Sequence, residues 1–182
     1  PSMKNLLSKN KKEGLMLDSL VYQKASGIIC SSDWAFKSIV NDFHIDPSKV
    51  CVAEFGPNID MALKQKVDWK KHSKLNLLFI GVDWKRKGGD VAVSACKALI
   101  YMNIDAVLHV VGCEIPSKYK SLKFIKGYGF LSKNIKEDYD KLLSIISDSD
   151  LFILPTQAEA AGIVFSEASA FGLPIFTYNT GG

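Results

Sequence analysis

The chain has 182 residues, which is enough for one domain with a sizeable core, or for one domain and part of a second. It is 47% hydrophobic and 23% charged, as ordinary globular domains are, and its net charge of +4 is a mild excess that a solvated surface accommodates. No apolar run approaches the ~18 residues of a transmembrane helix, and the four cysteines lack CxxC spacing, which argues for reduced thiols and against a metal site.

The first 60 residues predict two helices and two short strands in alternation. The predicted elements are a helix at 6–24, a strand at 25–30, a helix at 34–43 and a strand at 50–55. Ser32 or Asp33 is the expected cap of the second helix. Residues 61–74 are rich in lysine and show no sheet pattern, so we predict an interdomain linker there.

From Leu75 the sequence alternates apolar runs of strand length with segments of helical spacing. Strands are predicted at 75–80, 106–111, 122–125, 151–154 and 174–178, and helices at 89–102, 135–147 and 163–171. This alternation predicts an α/β fold, with a Rossmann-like parallel sheet covered by helices on both faces. Because such a sheet needs its cover, a chain that stops directly after a strand is expected to be a fragment.

Ligands of a parallel sheet bind beyond the carboxyl ends of its strands, so the loops that follow strands are the candidate sites. The loop after the strand at 75–80 contains Arg86 and Lys87, followed by two glycines. Arg86 as a planar fork and Lys87 as a point charge can hold a diphosphate, although an exposed basic loop is the simpler alternative. The loop matches neither the GxGxxG nor the P-loop pattern, so neither an NAD site nor a Walker-type ATP site is indicated.

Two carboxylates flank the predicted start of the helix at 163–171. Glu159 lies in the preceding turn, Gly162 allows close approach of a ligand, and Glu167 lies eight residues after Glu159, about two helical turns on. The helix start offers unpaired N–H groups and a positive dipole end. Such a site suits a ligand with several hydroxyls and a phosphate, as in a sugar nucleotide. The structural alternatives are a solvent-facing helix residue for Glu167 and a helix cap for Glu159.

The segment from Glu159 to the end of the sequence resembles the donor-binding segment of the retaining glycosyltransferases of group 1 (family 4, GT-B fold). The resemblance consists of the Glu-x7-Glu spacing, the run Ala168-Ser-Ala-Phe-Gly-Leu-Pro174 and the terminal Thr180-Gly-Gly182. Residues 1–60 resemble the last βαβ part of the N-terminal, acceptor-side domain of that family. Residues 75–182 resemble its C-terminal nucleotide-sugar-binding domain, here truncated.

The resemblance implies transfer of a hexosyl sugar from a nucleotide-diphosphate sugar to a glycan or lipid-linked acceptor, with retention of configuration and without a metal or cofactor. It places Glu159 at the transferred sugar as the catalytic residue and Glu167 at the ribose hydroxyls. The remaining residues that it implies bind the donor or lie beside its base: Gly81, Arg86, Lys87, Ala161, Gly162 and Ile163 for the donor, and Tyr128, Gly129 and Phe130 for the base.

Two positions depart from the family pattern. Val82 stands where the family has an arginine, so that role passes to Arg86, and Ala160-Ala161 replaces Gly-Phe before Gly162. The second departure keeps open a non-catalytic sugar-nucleotide-binding or regulatory domain. A flavodoxin-like phosphate sensor is less favoured, because no acidic cluster follows the first strand of the sheet.

The expected setting of the protein follows from the same resemblance. We expect a cytoplasmic protein, peripherally associated with the inner face of a membrane, that takes a nucleotide-sugar donor and a glycan or lipid-linked acceptor. No nucleic-acid partner is expected, since aromatic residues are not interleaved with the basic ones. The chain by itself is expected to be inactive in transfer.

Overall fold

The computed structural model describes residues 7–60, 73–159 and 161–180. The chain divides into two compact units, of which the first ends at Phe55 and the second begins at Gly56. The predicted linker at 61–74 falls mostly on residues 61–72, which lie outside the described residues.

The first unit is a small α/β arrangement whose described residues form two α-helices and two strands, with a short 3-10 turn at Pro47–Lys49. The helices and strands are α1 (Ser8–Lys24), β1 (Ile28–Cys30), α2 (Asp33–Asn41) and β2 (Val50–Val52). The two strands pair in parallel, and the backbone N–H of Ala35 donates to the Ser32 hydroxyl at 3.2 Å, which confirms the serine cap of α2. Helix α1 buries none of its residues, so Leu15, Leu17 and Leu20 are exposed within this unit.

The described part of the second unit contains five strands and three α-helices. They are β3 (Leu75–Ile80), α3 (Gly89–Tyr101), β4 (Ala106–Val111), β5 (Ile125–Gly129), α4 (Lys136–Ser147), β6 (Leu151–Leu154), α5 (Ile163–Ala170) and β7 (Ile175–Thr177). The strands form one sheet in the order β5-β4-β3-β6-β7, and every neighbouring pair is parallel. The predicted Rossmann-like sheet is therefore confirmed.

The centre of the sheet is buried on both faces. Leu77, Leu78 and Phe79 follow one another along β3 and are all almost completely buried. Because successive side chains of a strand point to opposite faces, burial of three in a row means that both faces are covered. The apolar run at 77–80 within this strand is the sequence signature of that double burial.

The predicted strand at 122–125 was wrong in its position. The backbone N–H of Ile125 donates to the Leu122 carbonyl at 3.1 Å, so that stretch is a turn, and the strand runs from Ile125 to Gly129. β5 lies at the edge of the sheet and pairs only with β4. An edge strand needs no continuous apolar run, so the polar and glycine-rich residues that form it gave no strand signal.

The order of the strands defines the place of the site. The chain passes from β3 outward to β4 and β5, then returns to the other side of β3 to form β6 and β7. The strand order reverses between β3 and β6, and ligands of open parallel sheets bind at such a switch point, beyond the carboxyl ends of the strands. The loops that begin at Gly81 and Pro155 are the two that flank it.

Candidate functional site

The loop between β3 and α3 is wound tightly by its own hydrogen bonds. Asp83 accepts from the backbone N–H of Arg86 through its carboxylate at 3.0 Å and from that of Lys87 through its carbonyl at 2.9 Å. Gly88 has a φ of +80°, and a Cβ there would overlap the carbonyl oxygen of Pro155. The loop therefore packs directly against the start of the β6–α5 loop, and this contact requires glycine.

Glu159 lies in a buried polar cluster with the two predicted cations. Its Oε1 forms an ion pair with the Nζ of Lys87 and lies 3.7 Å from the Nη1 of Arg86. The hydroxyl of Thr156 donates to the same oxygen at 2.9 Å. Only 8% of the Glu159 side chain and 11% of the Lys87 side chain are exposed. Charges this deeply buried must be paired and hydrogen-bonded, as these are.

Arg86 and Thr156 also connect the two loops through the backbone. The guanidinium of Arg86 donates to the Ala158 carbonyl at 2.9 Å, and the Arg86 carbonyl accepts from the backbone N–H of Gln157 at 2.8 Å. Thr156 was not among the predicted site residues. Its only sequence signal is a hydroxyl two residues after the end of β6 and three residues before Glu159.

Glu167 lies on α5 and is 5% exposed. Its Oε1 forms an ion pair with the Nζ of Lys133, which also donates to the carbonyl of Asn58 at 3.1 Å. Lys133 lies between β5 and α4, shortly after the predicted base-adjacent residues, and was not itself predicted. No local pattern marks this lysine, because the carboxylate that it meets is 34 residues away.

Helix α5 begins directly after Gly162, which has a φ of +56°. Ala161 is exposed, and Ile163 is the first residue of the helix. No acidic side chain lies in the first turn, so the positive end of the helix dipole is not neutralised from within the helix. Ala161, Gly162 and Ile163 therefore lie at the start of the helix, as predicted.

A cleft of about 550 Å³ lies at the carboxyl ends of the strands, which is within the usual size range of small-molecule sites. It brings together five of the predicted site residues and Lys133. The residues that line it include Gly81, Val82, Arg86, Lys87, Gly112, Phe130, Leu131, Lys133, Val164 and Glu167. Glu159 adjoins the cleft through its ion pair with Lys87.

The predicted base-adjacent residues have different surroundings. Phe130 lines the cleft and is 70% exposed. Tyr128 and Gly129 belong to β5, where the ring of Tyr128 stacks on that of His109, with centroids 5.7 Å apart. The Tyr128 hydroxyl lies 2.7 Å from Nδ1 of His109, and Nε2 of His109 lies 3.2 Å from the side-chain oxygen of Asn76. His109 is buried in the sheet.

The residues that the structure describes contain neither a cluster of metal ligands nor a membrane-spanning helix. Within them, no group of three or more histidine, cysteine, aspartate or glutamate residues is arranged to hold a metal ion. Nor does any helix in those ranges have the length and apolar character needed to cross a membrane.

The fold and the cleft define a Rossmann-like domain with a charged cleft at its switch point. Residues 61–182 match the glycosyl transferases group 1 family, and the chain belongs to that family. This confirms the predicted resemblance to the group 1 glycosyltransferases.

Individual relatives support the same assignment. Lipopolysaccharide glucosyltransferase WaaG of Escherichia coli K12 is 34% identical over 127 aligned residues, which cover 66% of this chain and 32% of the relative. An Escherichia coli protein named UDP-Gal:alpha-D-GlcNAc-diphosphoundecaprenol alpha-1,3-galactosyltransferase is 25% identical over 179 residues, 85% of this chain and 43% of the relative. The chain therefore spans less than half the length of either.

A crystal structure of a glycosyltransferase from Rickettsia africae has the same fold. It superimposes with a TM-score of 0.66 at 20% identity, over 98% of this chain and 50% of that one. At this identity the likeness concerns the fold alone, which is that of the GT-B glycosyltransferases.

Proposed function

We propose that this chain is the donor-binding part of a glycosyltransferase that transfers a hexosyl group from a nucleotide-diphosphate sugar to a glycan or lipid-linked acceptor, with retention of configuration. The observation that carries the proposal is the pair of buried carboxylates at the switch-point cleft, Glu159 and Glu167, each bonded to a lysine. Two relatives are named as a glucosyltransferase and a galactosyltransferase, which supports a hexosyl donor.

Arg86, Lys87 and the start of α5 would bind the donor diphosphate. Both cations line the cleft, and Lys87 has N–H groups beyond the one that it directs at Glu159. Negative charge grows on the diphosphate as the bond to the sugar breaks, and fixed cations and N–H dipoles stabilise that charge without rearrangement. Because Arg86, Lys87 and the helix start can stabilise this charge, we propose that the reaction needs no metal. A chelator should therefore leave turnover unchanged.

Glu159 would hold the hydroxyls of the transferred sugar. Lys87 and Thr156 both donate to its Oε1, so the carboxylate is fixed in position before any ligand arrives. A preorganised acceptor of this kind orients the sugar for transfer on the face that the diphosphate leaves. Glu167 would accept from the ribose hydroxyls, with Phe130 at the base and Tyr128 and Gly129 in the strand beside it.

Calorimetry and thermal unfolding with UDP, GDP, ADP and their sugars test the proposal. One nucleoside diphosphate should raise the melting temperature of the chain by mass action, and Glu167→Ala should lose that gain. Because the matches cover less than half of the length of either relative, we expect this chain to bind donor without turning it over, and a protein with both domains to transfer the sugar. Binding without transfer by such a protein would instead indicate a non-catalytic module.

A further inference from the structure

Lys133 is a charged residue of the cleft that belongs to none of the motifs behind the family resemblance. Its Nζ joins the buried carboxylate of Glu167 to the carbonyl of Asn58. The side chain is 31% exposed, so one part faces the cleft while the ammonium contacts a residue that is 5% exposed. Among the described residues, Lys133 is the cation that forms an ion pair with Glu167.

The backbone that carries Lys133 is fixed on both sides. The N–H of Ser132 donates to the carboxylate of Asp138 at 2.9 Å, and the N–H of Asn134 donates to the Ser132 hydroxyl at 3.3 Å. The N–H of Ile135 closes the turn on the Ser132 carbonyl at 3.2 Å. The lysine is therefore presented from a rigid turn, which limits the orientations of the ion pair.

We propose that Lys133 is a positioning residue of the donor site. It fixes the Glu167 carboxylate in the orientation that accepts from both hydroxyls of a ribose, and it thereby sets the preference for ribose over deoxyribose. This inference rests on the proposed function of Glu167.

The hydrogen-bonding capacity of the two groups supports this role rather than competition with the ligand. A carboxylate offers about four lone-pair positions, and an ammonium has three donors. Lys133 occupies one position on Glu167 and directs a second donor to Asn58, which leaves acceptor positions on the carboxylate for two hydroxyls. A ribose diol supplies two donors, whereas a deoxyribose supplies one and leaves a desolvated acceptor position unfilled.

A purely structural role makes a different prediction. A lysine that only neutralises a buried carboxylate would stabilise the fold, and its loss would weaken all nucleotides by the same factor. The ratio of ribonucleotide to deoxyribonucleotide affinity separates the two roles, because it moves only if Lys133 orients the group that contacts the sugar.

The experiment is calorimetry of the chain with the nucleoside diphosphate that binds tightest and with its 2′-deoxy and 3′-deoxy forms. Wild type should prefer the ribonucleotide by about tenfold, the size of one hydrogen bond to a charged group. Lys133→Met should bring that ratio close to one, and Lys133→Arg should keep it. Lys136→Met, which removes an exposed lysine of α4, is the matched control and should leave all affinities unchanged.

The Lys133→Met substitution is also tested in a Glu167→Gln variant, in case it prevents folding of the wild-type chain. In Glu167→Gln no carboxylate is left unpaired, so Lys133→Met should fold there and should not change the ratio any further. Equal weakening of ribo and deoxy forms by Lys133→Met, or a wild type that does not discriminate between them, would overturn the inference while leaving donor binding intact. A wild type that binds no nucleoside diphosphate would overturn the proposed function itself, and this inference with it.

Discussion

Lys87 and Glu159 come from loops that follow neighbouring strands of the sheet, and they meet in an ion pair that is almost completely buried. The pair joins the cationic loop after β3 to the carboxylate loop after β6 at the point where the strand order reverses. One contact therefore connects the residues proposed to bind the diphosphate with the residue proposed to bind the sugar.

Lys87→Met is expected to lower both stability and donor affinity. The variant takes the closest cation from the buried Glu159 carboxylate and leaves it Arg86, whose Nη1 lies 3.7 Å away. The loss in the free energy of unfolding should therefore be at most about 3 to 5 kcal/mol, the cost of breaking a buried pair that has no other partner. Urea unfolding measures that loss, and calorimetry should show nucleoside diphosphates weakened by at least about tenfold. Lys85→Met, in the exposed part of the same loop, is the control and should change neither quantity. An unchanged diphosphate affinity would contradict the assigned role of Lys87.

Thr156→Val is expected to loosen Glu159 without changing any charge. The hydroxyl of Thr156 is fully buried, and its shortest hydrogen bond, 2.9 Å, is to the Glu159 carboxylate. Loss of a hydrogen bond to a charged group should cost about 1.5 to 3 kcal/mol of unfolding free energy. Thr156→Ser keeps the hydroxyl and should recover most of that loss in the same urea titration. If valine and serine behave alike, the hydroxyl does not support the carboxylate.

Substitutions of Phe130 and Tyr128 are expected to have different effects, one on nucleotide affinity and the other on the stability of the fold. Phe130→Ala removes an exposed ring from the cleft wall, so nucleotide affinity should fall by about 1 to 3 kcal/mol, the range of base–aromatic stacking, while the melting temperature stays the same. Tyr128→Phe removes the hydroxyl that contacts His109, which should cost about 1 kcal/mol of stability and leave affinity unchanged. The reverse pattern would assign the base to Tyr128.

His109 should make stability fall as the solution becomes acidic. Burial lowers the pKa of His109 below its ordinary value, the positive charge of Lys126 adds to the shift, and Asp148 and Asp150 oppose it. Above pH ~6.5 the imidazole is neutral in the folded and unfolded chains alike, so it has no effect on the pH dependence. Below that pH the unfolded chain takes up the proton first, and the free energy of unfolding decreases until the folded-state pKa is passed.

Urea titrations at a series of pH values from 5 to 8 measure that slope. His109→Gln, which retains hydrogen-bonding groups, should have a shallower slope between pH 5 and 6.5 than wild type. His44→Asn, at an exposed histidine with positive φ that asparagine tolerates, is the control variant. Identical slopes in wild type and His109→Gln would show that another group governs the acid response.

The sequence predicted the central strands well and the edge strand β5 poorly, because β5 lacks the burial that an apolar run reports. β3, β4 and β6 are buried on both faces, so each is mostly apolar, and their predicted bounds agree with the structure. Among the described residues β5 pairs with β4 alone, and its Lys126, Gly127 and Gly129 form no apolar pattern. The opposite edge strand, β7, begins with two apolar residues, and its prediction was right to within one residue at each end.

The candidate site was predictable to the extent that its residues lie within one motif. Glu159, Gly162 and Glu167 share a short segment with a characteristic spacing. Thr156 and Lys133 acquire their roles from partners that the fold brings to them, and neither threonine nor lysine has a distinctive spacing of its own. Which roles the predicted residues have in binding stays a prediction that the variants above will test.

Gly88 sets a limit on redesign of this domain for other donors. The cleft wall has positions with ample freedom, such as Val82 and Phe130, whose exposed side chains can be exchanged in a variant library without disturbing the core. Position 88 has none, because any side chain there would push the loop after β3 away from the carbonyl of Pro155. In a library that randomises residue 88, most variants would therefore separate Lys87 from Glu159. Donor selectivity is better changed by substitutions in the cleft wall than by substitutions where the two loops meet.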